Sequence, residues 1–94
     1  MVYRGNMVTI ERVQSGVRLE RRLLKVLKGL AEYLDLSLGD LLEGMVLHAF
    51  EQKLPFDDVT VVTIERLKEV YGLNLTAADS HNLCEGDDQG AKGR

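Results

Sequence analysis

Val13-Gln14-Ser15-Gly16-Val17-Arg18-Leu19, followed at once by Glu20-Arg21-Arg22-Leu23-Leu24-Lys25-Val26-Leu27-Lys28-Gly29-Leu30-Ala31-Glu32-Tyr33-Leu34, is the stretch on which the fold turns. Val13, Ser15, Val17 and Leu19 alternate with Gln14, Gly16 and Arg18. That is the period of a strand with one apolar face. At Glu20 the period changes. Leu23, Leu27, Leu30 and Leu34 recur at helical spacing, with Leu24 and Ala31 beside them, which predicts an amphipathic helix over 20–34. Glu20 falls in its first turn, where a carboxylate suits the positive end of the helix dipole. Gly29 lies mid-helix at a cost of roughly 1 kcal/mol relative to Ala, a position that permits close helix packing.

Upstream, Val8 and Ile10 have the opposite parity to Val13, so residues 1–12 read as an arm, or as a piece separated by a bulge or turn. Downstream, Asp35-Leu36 is a link, and Ser37-Leu38-Gly39-Asp40 has the spacing of a capping box that opens a second helix. Leu38, Leu41, Leu42, Met45, Val46, Ala49 and Phe50 cover more than half of that helix's circumference, so it is expected to be buried on several sides. Pro55 ends it. Residues 57–71 contain the β-branched run Val59, Val61, Val62 and Ile64. Yet Val61, Ile64, Leu67 and Tyr71 keep helical spacing, Asp57 or Asp58 can cap, and Gly72-Leu73 resembles a helix stop, so a third helix is predicted. Thr76-Ala77-Ala78-Asp79 predicts a short helix to about Cys84. The expected organisation is an arm at 1–12, a core domain at 13–53, an accessory helical extension at 54–85 and a mobile tail at 86–94, which lacks apolar anchors.

A lone strand leaves its N–H and C=O groups open, and an antiparallel pairing with the same strand of a second chain would satisfy them. Val17-Arg18-Leu19-Glu20-Arg21-Arg22-Leu23-Leu24, with Leu27, Leu30-Ala31, Leu34, Leu36-Ser37 and Leu41-Leu42, resembles the ribbon–helix–helix superfamily of Arc and methionine-repressor type. The likeness covers about residues 13–53 and departs where the family often has Pro and this chain has Glu20. The expected fold is therefore a mainly α, intertwined ribbon–helix–helix homodimer.

The resemblance implies a two-stranded ribbon in the DNA major groove, with Gln14, Gly16 and Arg18 outward. Arg18 would reach guanine and Gln14 adenine, while Gly16 leaves the middle position empty. The resemblance also implies a phosphate clamp at the start of the second helix, at Ser37, Leu38 and Gly39, with Asp40 as an unfavourable neighbour. Arg4, Arg12, Arg21, Arg22 and Lys25 are candidates for backbone contacts. Pairing of Arg18 with Glu20 or Glu11 is the plain alternative.

Charge agrees in its distribution and not in its total. The 94-residue chain carries a net −3, but residues 1–28 hold seven bases against Glu11 and Glu20, a balance of +5, and the remainder stands at −8. Such asymmetry points to a basic segment with an anionic partner. One cysteine, Cys84, excludes an internal disulfide, and no stretch approaches the roughly 20 apolar residues of a membrane span. The expectation is a cytoplasmic protein. His81 and Cys84, with His48 distant, fall short of four metal ligands, and no nucleophile–base pair or phosphate loop is present, so neither metal, cofactor nor catalysis is expected. The predicted function is a DNA-binding transcriptional regulator, a repressor or antitoxin, that acts as a homodimer and has an acidic C-terminal extension for an effector or protein partner. The alternative is a dimeric protein-interaction scaffold without DNA binding, favoured by Gly16, Asp40 and the acidic balance.

Overall fold

A computed structural model of the chain describes residues 7–86. Arg4 and residues 87–94, most of the expected tail, lie outside the described residues. Three helices follow one another, α1 (Arg21–Leu34), α2 (Leu38–Phe50) and α3 (Asp58–Tyr71), with a 3-10 turn at Ala77–Asp79.

Each helix starts on an acceptor side chain. Glu20 stands just before α1 and accepts from the Leu23 amide at 2.8 Å. It is thus the cap itself and not a first-turn residue. Ser37 accepts from the Asp40 amide at 3.0 Å, and Asp57 from the Thr60 amide at 2.9 Å. Such caps satisfy N–H groups that have no partner inside the helix, typically at about 1 kcal/mol each. α1 and α3 stop on left-handed residues. Gly72 (φ 68°) ends α3, and the Leu73 amide returns to the Lys68 carbonyl at 2.9 Å while its side chain is buried. Asp35 (φ 61°) ends α1 in the same way, with the Leu36 amide on the Ala31 carbonyl at 2.9 Å.

Leu27, Leu30, Ala31 and Leu41 form the buried centre, and Leu23, Leu34, Leu38, Leu42, Met45, Phe56, Ile64 and Leu67 pack around it. α1 is central and packs more extensively on α3 than on α2. Gly29 explains the approach: a Cβ built there would lie 3.0 Å from Leu67 Cδ2. Of the β-branched run at 59–64, Ile64 packs on this core, while Val59, Val61 and Val62 stay exposed along α3.

The expected strand is not formed. Among the described residues there is no strand, and no backbone hydrogen bond joins 7–19 to another segment. The segment has no regular secondary structure, with Val13 77% and Val17 73% exposed. Period-two alternation marks the face a strand would bury, but a strand also needs a ladder partner, and the single chain supplies none. The expectation of an intertwined ribbon–helix–helix fold is therefore overturned: the described residues form three helices and no strand. One further correction follows. The short helix expected to Cys84 is only a 3-10 turn, held by the Thr76 amide on Asp79 Oδ2 at 2.8 Å. Within the single chain, Leu41 is the one buried residue of α2. Among the described residues no helix is long and apolar enough to cross a membrane.

Candidate nucleic-acid interface

The stripe of α1 that buries Val26, Leu27, Leu30 and Ala31 leaves the opposite stripe to water. There Arg21, Lys25 and Lys28 stand at i, i+4 and i+7, all exposed. With a rise of 1.5 Å per residue they climb the helix by about 6 and then about 4.5 Å. Among the described residues none of the three has a carboxylate within salt-bridge distance. Lys25 Nζ lies 5.9 Å from the centre of the Tyr71 ring, a distance at which the ring face attracts a cation without neutralising it.

The other arginines are engaged within the chain. Arg12 bridges the arm to α2: its Nε and Nη2 each lie 2.8 Å from a Glu43 oxygen, and Nη2 is also 3.2 Å from Asp40 Oδ1. This two-pronged contact raises the Arg12 pKa, first through the hydrogen bond to Glu43, and lowers that of Glu43. Arg18 is 2.7 Å from Glu85, and both side chains are largely exposed. Arg22 is a tie-piece. Its Nε meets Glu20 at 2.9 Å, while Nη1 donates to the Gly72 carbonyl and Asn74 Oδ1 at 3.0 and 3.1 Å, fastening the start of α1 to the end of α3. These contacts hold Glu20 below the usual carboxylate range, chiefly through the Leu23 amide.

Gln14 and Gly16 are exposed on the same N-terminal segment as Arg18, and no Cβ contact limits Gly16. Ser37, Leu38 and Gly39 sit at the start of α2, where the Ser37 hydroxyl already occupies the Asp40 amide. The structure thus brings Arg21 and Lys25 together on one face and sends Arg12, Arg18 and Arg22 to different partners. Lys28 completes the stripe and was not among the sequence candidates. Its i+7 spacing from Arg21 was the signal that finds it. His48 donates to its own helix, Nδ1 to the Gly44 carbonyl at 2.7 Å, and Cys84 is an exposed thiol.

A second exposed feature lies on α2 and just beyond it. Leu47, Phe50 and Leu54 are 63%, 78% and 89% exposed, and Val46 lies beside them. Set against known proteins, the chain matches no family model, no curated protein and no solved structure.

Proposed function

We propose that the chain is a DNA-binding regulator that acts as a dimer and grips the phosphate backbone with its N-terminal third. The observation that carries this reading is the cation stripe Arg21, Lys25 and Lys28, exposed and free of carboxylate partners among the described residues. Three cations on a rigid helix lose little freedom on meeting a row of phosphates, and each releases a counterion from the DNA. Groove reading by a β-ribbon belonged to the overturned fold and has no part in the proposal. In this reading two chains pair through the exposed Leu47, Phe50 and Leu54, which doubles the phosphate contacts.

The rival reading, a dimeric protein-interaction module without DNA binding, draws on one observation: Glu43, Asp40 and Glu85 already occupy Arg12 and Arg18. A gel-shift series on mixed-sequence duplex at low salt separates the two. Retardation by the native chain that is lost in the Arg21→Ala/Lys25→Ala/Lys28→Ala variant supports the regulator. A folded chain that retards no duplex supports the module.

A further inference from the structure

The end of α1, α2 and the α2–α3 link enclose an open groove of about 440 Å³, inside the range of about 300–1,000 Å³ usual for small-molecule sites. Its apolar lining includes Leu34, Leu41, Met45 and Phe56. Its polar lining is one-sided: two carboxylates, Asp40 and Asp57, one imidazole, His48, and Thr60, with no Lys or Arg.

The hydrogen bonds fix what these groups offer. His48 Nδ1 lies 2.7 Å from the Gly44 carbonyl oxygen. A carbonyl only accepts, so Nδ1 carries the ring proton, and in the neutral ring Nε2 is left as an acceptor. Asp57 receives the Thr60 amide on Oδ1, and the Thr60 hydrogen bonds hold its carboxyl below the usual range, so it is ionised. Asp40 is in contact with Arg12 through Oδ1, but Arg12 is balanced mainly by its two-pronged contact with Glu43. The lining therefore combines negative charge and free acceptor positions with an apolar surface. A carboxylate ligand would meet like charge there, and a neutral apolar ligand would leave the acceptors unused.

We infer that this groove binds a small amphipathic amine, its apolar body against Leu41, Met45 and Phe56 and its ammonium among Asp40, Asp57 and His48. The inference does not depend on the DNA-binding reading. Burial of the body supplies the affinity, and the ammonium supplies the selectivity through charge-assisted hydrogen bonds.

The test uses the full chain and three indoles that differ only in the charge of the side chain: tryptamine (cation), tryptophol (neutral) and indole-3-propionate (anion). The chain has no Trp, so indole fluorescence reports the ligand directly. Saturable binding of tryptamine, tighter than tryptophol by about tenfold and with the anion weakest, is the expected order. His48→Ala and Asp57→Asn, the latter keeping a capping oxygen, should each weaken tryptamine several-fold with unchanged helical circular dichroism. Equal binding of tryptamine and tryptophol, preference for the anion, or affinity untouched in both folded variants would each overturn the inference. So would a groove that takes no tryptamine because a second copy fills it, seen as a dimer mass that does not change with the amine.

Discussion

Gly29 offers a perturbation whose sign the structure decides. Replacing a mid-helix Gly by Ala ordinarily stabilises by about 1 kcal/mol, because Ala gives up less backbone freedom. Here the added methyl would lie 3.0 Å from Leu67 Cδ2, below ordinary contact distance, so the Leu67 side chain must give by a few tenths of an ångström against its neighbours. Overpacking of that kind costs about 1–3 kcal/mol. Gly29→Ala should therefore be neutral to destabilising by up to about 2 kcal/mol, the difference of the two terms. In a Leu67→Ala background the obstacle is gone, and the same substitution should stabilise by about 1 kcal/mol. Leu67→Ala alone should cost about 2 kcal/mol, near the low end for leucine because the side chain is half-buried. Urea melts of the four chains close the cycle. At a slope of about 1 kcal/mol/M, each kcal/mol moves the midpoint by about 1 M. A coupling of at least about 1 kcal/mol is expected between the two sites. If Gly29→Ala stabilises equally in both backgrounds, α3 does not sit on α1 as described.

Three further outcomes are expected. Leu47→Asp and Phe50→Asp alter exposed side chains and should leave helicity unchanged, yet turn a dimer into monomers in sedimentation, whereas a native chain that sediments as a monomer at tens of micromolar removes the basis for pairing. Acid should destabilise the fold: Glu20, Glu43 and Asp57 have carboxyls held below their ordinary values of 4.5, 4.5 and 3.8, so their contribution is complete above those values and is lost as pH falls through the lower folded-state values. Replacing Glu43 by Gln should flatten that acid limb in thermal melts, and an unchanged limb would exclude the Arg12 contact in solution. Arg22→Ala should lower the melting temperature more than Arg21→Ala, because only Arg22 ties α1 to the Gly72 carbonyl and Asn74.

The helices were legible because their signals are local. Leucine spacing, the Ser37 and Asp57 caps and Gly72 before Leu73 all act within one or two turns, but the expected box at Ser37–Asp40 is half formed, since the Asp40 carboxylate meets Arg12. The left-handed Asp35 was not legible, since Asp carries that conformation less characteristically than Gly. The strand was misread for a different reason. Alternation at 13–19 is a statement about faces, and strand formation depends on a partner that no local pattern reports. The Thr76–Asp79 cap was real, but a cap without an apolar stripe behind it closes a single turn, and Leu83 remains half exposed. The candidate site divides along the same line. Charge and helical spacing put Arg21 and Lys25 on one face. That Arg12 finds Glu43, 31 residues away, and Arg18 finds Glu85, 67 residues away, is a property of the folded chain alone.

The most direct test of the central claim is the salt dependence of DNA binding, followed by fluorescence anisotropy with a labelled mixed-sequence duplex. Three stripe cations from each of two chains give about six phosphate contacts, so log K should fall against log salt with a slope of about −5. The Lys25→Ala variant removes one contact per chain and should make the slope shallower by about 2, at unchanged helicity. A folded native chain that binds no duplex at about 50 mM salt, or a slope that Lys25→Ala leaves as it was, would contradict DNA binding through the α1 stripe.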